Sequence, residues 1–255
     1  MRLLRAWVTL VWLSFNRLLW STGSFMIFLP FLACALLLFR QRYGQTTDLS
    51  AGFNRFSHEF LINIFALFLV PICALAYGTS SIGGDREDRT LLFLLVRPIP
   101  RPLVLLAKVA ATLPLVIGLT LASFYVYCRL AGEVGNMALK AYFPAVFYMA
   151  FAYTCVFHLF AVLFRHSTIV ALVYSLFMEF ILGNLPGIVK RVAVNFYGRS
   201  MMYRMGEGEG LQAPPAAWFE PISAGEAEAA LVCISIGSLA LAMIIFQRRE
   251  YRDLT

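Results

Sequence analysis

Charged residues are scarce in this sequence. Asp, Glu, Lys and Arg together make up 14% of the 255 residues, whereas 60% are hydrophobic, and the mean hydropathy is +0.76. A soluble domain of this size carries about 25% charged residues, so the composition excludes an ordinary soluble protein. It indicates a chain that lies in a lipid bilayer.

The motifs of nucleotide hydrolysis and of common hydrolases are missing as well. The chain contains no G-x-x-x-x-G-K-[ST] loop, no G-x-S-x-G and no H-E-x-x-H, and each of these motifs supplies groups that its chemistry requires. We therefore expect a chain that is not an enzyme and that binds no cofactor, ATP included, by itself.

Paired cysteines and basic clusters are also absent. The five cysteines are scattered through apolar runs without a C-x-x-C, and only His158, three residues after Cys155, lies close to one of them. This spacing predicts buried small side chains and neither a disulfide framework nor a metal site. The net charge is +7, but the basic residues flank apolar runs, which favours anionic lipids and not nucleic acid as partners.

The apolar residues fall into six runs, each near the ~20 residues that a bilayer-spanning helix requires. The runs cover about residues 20–39, 60–78, 103–128, 142–164, 168–188 and 227–246. We predict an all-α polytopic membrane protein whose single transmembrane domain occupies residues 1–255. An even number of spans places both termini on one side.

Residues 1–19 precede the first run and predict an amphipathic helix. Polar and apolar residues lie on opposite faces, which is typical of a helix in the membrane interface. Asn16 and Arg17 interrupt the apolar pattern, so a secretory signal peptide is disfavoured. Three tryptophans are expected at headgroup depth: Trp7, Trp12 and Trp20.

A charged segment separates the second and third runs. Gly83 and Gly84 are expected to break the second span, so that Asp85 caps a new helix beginning at Arg86. Acidic residues in its first turn would oppose the positive helix end, and Pro98 would stop it. Leu91, Leu94 and Leu95 recur at helical spacing, so this short helix has one apolar side.

The order of residues in this segment resembles the cytoplasmic coupling loop of ABC-2 type transporter permeases. The matching pattern is I-x-x-(D/E)-x-E-x-x-T-L-x-x-L-L-x-x-P-I-x-R-x-x-x-L-x-x-K. It is carried by Ile82, Asp85, Glu87, Thr90, Leu91, Leu94, Leu95, Pro98, Ile99, Arg101, Leu105 and Lys108. Arg89 stands where the family usually has glycine, which leaves the helix more continuous than the family pattern.

The resemblance implies a membrane-spanning permease subunit of an ATP-binding cassette transporter, with an exporter expected. Its partners would be a separate ATP-binding subunit, which uses ATP and Mg²⁺, and a second permease copy or a paralogue. It implies a bacterial inner-membrane protein with cytoplasmic termini and a cytoplasmic loop over 83–101. The ATPase-contacting residues would be Asp85, Arg86, Glu87, Asp88, Arg89, Thr90, Leu91, Leu94, Leu95, Pro98 and Arg101.

The distribution of Lys and Arg agrees with this orientation. Twelve basic residues lie on the side of the termini and nine on the other side, and cytoplasmic loops carry the excess. The longest polar segment, 189–226, is then a flexible outer loop. A short surface helix is expected around Val192–Met202.

Glu179 is the one acidic residue in the middle of a predicted span. A charge at this depth costs on the order of 2.5–3.5 kcal/mol on insertion scales. Glu179 and His158 are therefore candidates for the translocation path or a dimer seam, although a neutral, hydrogen-bonded structural role is equally compatible. The alternatives to the ATP-driven permease are an ion- or proton-coupled transporter or channel that uses Glu179, and a membrane scaffold.

Overall fold

The computed structural model describes residues 2–41, 48–87, 100–181, 189–215 and 219–248, and all regular structure in these ranges is helical. The first half of the chain forms three long helices. They are α1 (Arg2–Leu19), α2 (Thr22–Gln41) and α3, a continuous helix made of Leu49–Arg55, a π-helical stretch Phe56–Leu69 and Val70–Glu87.

The second half adds five helices. They are α4 (Arg101–Leu130), α5 (Glu133–Leu163), α6 (Ser167–Tyr174, continued by a π-helical stretch Ser175–Ile181), α7 (Val194–Gly206) and α8 (Ala224–Arg248). Short 3-10 turns, Val189–Val192 and Glu207–Glu209, flank α7.

Five of the described helices are long and apolar enough to cross a bilayer: α2, α3, α4, α5 and α8. This confirms an all-α polytopic chain. The predicted run 168–188 corresponds to α6, which is described as far as Ile181 and whose apolar part is shorter than the other five. A sixth span therefore stays a prediction.

The long helix α5 lies at the centre and packs against α3, α4, α7 and α8. Its aromatic side chains Tyr142, Tyr153 and Phe157 are fully buried. They form one hydrophobic core with residues of the neighbouring helices. By contrast, only 22% of the apolar window is buried in α2 and in α8, so these two helices present most of their surface outward.

The predicted break at Gly83 and Gly84 is wrong, because α3 continues through both residues to Glu87. A Cβ atom on Gly83 would stand 3.0 Å from the Ser167 hydroxyl oxygen. The missing side chain at Gly83 therefore allows the start of α6 to approach α3 closely, and the glycine pair does not end the helix.

The surface helix expected around Val192–Met202 also requires correction, whereas the side of the membrane on which 189–226 lies stays a prediction. The helix α7 within it does not lie on the surface, since Phe196, Met201 and Met202 are buried and α7 packs against α5 and α8. Gly198 permits this packing, because a Cβ atom there would overlap the Met149 side chain of α5. Elsewhere in the described part of the segment, Arg191, Val192 and the run 207–210 are among the residues with the exposed character that the composition predicts.

Candidate functional site

A buried cluster of charges joins three helices at the base of the segment between α3 and α4. The Asp85 side chain is 2% exposed, and Lys108 Nζ lies 2.6 Å from its Oδ2 atom. The Arg17 guanidinium contacts the other carboxylate oxygen. Asp85 belongs to α3, Lys108 to α4 and Arg17 to α1, so one carboxylate holds all three helices together.

The positions of these residues follow from how the helices begin and end. Asp85 lies in the last turn of α3, where the negative helix end disfavours a carboxylate, so it depends on nearby cations. Pro100 and Pro102 set the start of α4, since proline suits the first turn of a helix. Lys108 then falls two turns into α4, level with Asp85.

The members of this cluster differ in burial. The Lys108 side chain is 7% exposed, whereas the Arg17 side chain is 47% exposed. Taking a charge out of water costs several kcal/mol unless a partner compensates it. Asp85 and Lys108 therefore form the inner, desolvated pair, and Arg17 is the partner that still reaches solvent. The interpretation of Asp85 as a helix N-cap is wrong, because Asp85 lies within the last turn of α3.

Arg86, the neighbour of Asp85, fastens α3 to a different helix. Its Nη1 and Nη2 atoms donate hydrogen bonds to the carbonyl oxygens of Phe164 at 2.8 Å and Val162 at 3.1 Å. These carbonyls are at the carboxyl end of α5, where a cation satisfies unpaired acceptors and the helix dipole. The guanidinium of Arg86 therefore contacts the helical bundle itself.

The N-terminal helix has a second connection to α4. Trp7 Nε1 donates a hydrogen bond of 3.0 Å to the Leu103 carbonyl, so this indole contacts the first turn of α4, and its predicted headgroup depth stays a prediction. Trp12 and Trp20 are 64% and 74% exposed, as a position in the interface would require.

One helical turn from the ion cluster, His158 forms a second polar layer. The ring is fully buried, and Nδ1 lies 2.7 Å from the Thr154 carbonyl oxygen, to which it donates. Nε2 lies 3.1 Å from both Ser81 Oγ and Thr112 Oγ1, and these hydroxyls also lie within hydrogen-bond distance of backbone carbonyls of their own helices. His158 thus links α3, α4 and α5 through hydrogen bonds.

The two layers are continuous along the facing sides of α3 and α4. Ser81 lies one turn before Asp85, and Thr112 lies one turn after Lys108, so each pair occupies one helix face. A third contact extends this arrangement to α6, since Thr168 Oγ1 donates to Thr79 Oγ1 at 3.1 Å. We call these residues the polar seam: Thr79, Ser81, Asp85, Lys108, Thr112, His158 and Thr168.

Several predicted site residues lie outside this description. Glu87 ends α3, and Arg101 begins α4. The side chains of Glu87 and Glu179 are outside the described part of the structure, so the role of Glu179 and its pairing with His158 stay predictions. Seven further residues that were predicted to contact the ATPase also lie outside the described ranges, so their contacts stay predictions: Asp88, Arg89, Thr90, Leu91, Leu94, Leu95 and Pro98.

Sequence reasoning missed the partners of Asp85. Lys108 was visible as the last residue of the motif, and Ser81 and Thr112 as polar residues one turn from the charges. No sequence signal indicated how α3 and α4 are rotated about their axes, which decides whether these groups meet.

Within the described ranges, no three His, Cys, Asp or Glu side chains are close enough to hold a metal ion.

Comparison with known proteins gives a family match over almost the whole chain. The model of a family described as "ABC-2 family transporter protein" matches residues 14–251. A comparison with curated proteins found no match. The matched range contains all the residues of the polar seam and the described helices from α2 onward.

Proposed function

The chain belongs to the ABC-2 family of transporter proteins, and on that premise we propose that it is the permease of an exporter driven by a separate ATP-binding subunit. Membership makes it a multi-pass membrane subunit of a transporter and not an enzyme. The export direction, the docking site of the ATPase and the assembly described below are parts of the proposal.

The observation that carries the proposal is the polar seam at the base of α3 and α4. These helices lead into and out of the coupling loop predicted over 83–101, and we call residues 88–99, between the two helices, the docking segment. Because Asp85 binds both Lys108 and Arg17, a force on that segment moves α1, α3 and α4 together. Arg86 passes the same displacement to the end of α5. The seam thus gives an external ATPase a rigid attachment to the bundle.

The ATPase would act by binding two states of the permease unequally. A ligand shifts a conformational equilibrium only by its difference in affinity for the two states. Closure of the ATPase pair on ATP and Mg²⁺ would favour the state in which the docking segment is pushed toward the membrane. The α3–α4 pair would then tilt as a unit, because separating its buried charges is costly.

A second permease copy or a paralogue completes the proposed transporter. The helices α2 and α8 cross the bilayer with only 22% of their apolar windows buried, so each has an apolar face available to lipid or to another subunit. In this arrangement the substrate path lies between two permeases.

The proposed location is the bacterial inner membrane, with both termini in the cytoplasm. The outward face of α1 supports a position in the membrane interface. Leu4, Val8 and Trp12 are 70%, 52% and 64% exposed, and Arg5 lies on the same exposed side. An apolar face with a nearby cation suits the boundary between acyl chains and anionic headgroups.

Purification of the tagged chain in mild detergent tests this function. We expect a second polypeptide that carries a G-x-x-x-x-G-K-[ST] loop to be recovered with it. The variant Asp88→Arg reverses a charge in the predicted docking segment and is expected to lose that polypeptide. Glu133→Arg, an exposed charge reversal at the start of α5, is the matched control. Equal recovery from both variants would contradict the docking site, and recovery of no ATP-binding polypeptide from wild type would contradict the function.

A further inference from the structure

A long apolar groove runs between α2 and α4 on the outward side of the bundle. Its volume is about 440 Å³, which is in the range of ligand sites in proteins. The α2 wall includes Phe25, Leu29 and Leu32, which are 62%, 71% and 62% exposed, so the groove is open to the surroundings of the helices. Both helices have the length and hydropathy of membrane spans.

The groove has no polar group that needs a partner from a ligand. Tyr127 and Ser123 supply the hydroxyls in its lining. Tyr127 donates to the Phe31 carbonyl at 2.8 Å, and Ser123 donates to the Thr120 carbonyl at 2.9 Å. Filling 440 Å³ with water at ~30 Å³ each would take about fifteen molecules. With both hydroxyls already bonded, such waters would find few hydrogen-bond partners, so the groove suits an apolar occupant.

The groove is elongated along the helices. Its α2 wall runs from Phe25 to Ala35, which is about 15 Å at 1.5 Å per residue. This elongated, apolar shape suits the acyl chain of a lipid.

Cations stand at one end of the groove. The helices α2 and α4 run in the same direction, because α3 crosses back between them. Arg40 is in the last turn of α2 and Arg129 in the last turn of α4, and both are exposed. Both arginines therefore lie at the same membrane boundary, where a lipid phosphate would be found.

From these observations we infer that the groove between α2 and α4 binds one acyl chain of a phospholipid, whose phosphate lies near Arg40 and Arg129. This site is separate from the polar seam. It requires only that α2 and α4 cross the bilayer, so it does not depend on the ATPase.

Native mass spectrometry of the full chain, washed extensively in mild detergent, tests the inference. Wild type is expected to retain a phospholipid. Ala35→Trp fills the groove from the α2 wall and is expected to lose it. Ala33→Trp is the matched control, since Ala33 is exposed on the same helix and does not line the groove. If Ala35→Trp fails the thermal-unfolding check, Ala122→Phe fills the groove from the α4 wall instead.

The arginines are tested by returning lipid to the delipidated chain. Phosphatidylglycerol is expected to rebind more tightly than diacylglycerol, which has acyl chains but no phosphate. Arg40→Gln is expected to weaken phosphatidylglycerol binding about fivefold and to leave diacylglycerol binding unchanged.

Three results would overturn the inference. The first is a wild-type chain that retains detergent but no phospholipid. The second is equal lipid retention by Ala35→Trp, or by Ala122→Phe, and by Ala33→Trp. The third is loss of a permease dimer in Ala35→Trp without loss of lipid, which would show that the groove is covered by a second copy. Recovery of the ATP-binding subunit is not part of this measurement, so its outcome is independent of the proposed function.

Discussion

Replacing Lys108 with methionine is expected to destabilise the bundle strongly. The change keeps a long apolar side chain but removes the ammonium 2.6 Å from Asp85. Asp85 is 2% exposed and Lys108 7% exposed, so the carboxylate would remain in the bundle with Arg17 as its cationic partner. Removing one member of a buried ion pair costs about 3–5 kcal/mol, and we expect Lys108→Met to fall in this range.

Two further variants separate charge burial from the loss of a contact. Arg17→Met removes a partner that is 47% exposed. The loss in free energy of unfolding should therefore be about 0.2–1 kcal/mol, as for solvent-exposed ion pairs. The double variant Asp85→Asn/Lys108→Met removes both buried charges and leaves neither unpaired. Its cost should be well below that of Lys108→Met alone, because an ion pair and its neutral replacement are often similar in stability.

Equilibrium unfolding in mixed micelles at constant ionic strength, followed by circular dichroism, gives the free energies of unfolding for this series. Lys108→Met should lose the most, the double variant less and Arg17→Met least. A Lys108→Met variant within about 0.5 kcal/mol of wild type, as for an ordinary surface substitution, would refute the buried pair. So would a double variant that loses as much as Lys108→Met and the single variant Asp85→Asn added together, since groups in contact are expected to be non-additive.

Further predictions concern the surroundings of the seam. His158→Leu should lower thermal stability by about 1–3 kcal/mol, because buried partners lose a hydrogen bond; unchanged unfolding would contradict the second polar layer. Gly198→Val should cost about 1–3 kcal/mol by overpacking against Met149, whereas Gly208→Val, in open space, should be near neutral in the same unfolding assay. The Ser50 hydroxyl and the Ala51 and Ser50 amides hold the pKa of Asp48 below its ordinary value. Because the folded-state pKa is lowered, this cap stabilises α3 above the unfolded pKa, about 3.9, and is lost as pH falls. The protection factor of the amides at the start of α3, which is the intrinsic exchange rate divided by the observed rate at the same pH, should therefore fall in acid in wild type but not in Asp48→Asn, and equal acid responses would contradict the cap.

Hydropathy predicted the long helices because a bilayer fixes their length and apolar character. The described helices α2, α3, α4, α5 and α8 overlap the predicted runs, although α3 and α5 extend beyond them. The extensions were not predicted, since they contain polar residues that are stabilised by tertiary contacts. One example is Asp85, whose sequence context of two glycines and an acidic cluster is typical of a helix start.

Local sequence was least informative where distant segments meet. Asp85 and Lys108 are 23 positions apart in sequence, and Arg17 is farther still, so neither periodicity nor capping rules indicate their contact. The burial of α7 was equally difficult to predict from the sequence. Its sequence contains Arg199 and Arg204 as well as apolar residues, and its neighbourhood is rich in Gly, Glu and Pro. The close packing of Gly198 on α5 allows the helix to lie inside the bundle.

The most direct test of the ATP-driven permease is photo-cross-linking from position 94, in the middle of the predicted docking segment. A photoreactive residue at Leu94 in inside-out membrane vesicles should form an adduct with a polypeptide that carries a nucleotide-binding loop, and ATP should change the yield. The same position should be inaccessible to a membrane-impermeant reagent in intact cells. Labelling from the outside, or adducts to the permease chain alone, would contradict an ATPase that presses on this segment from the cytoplasm.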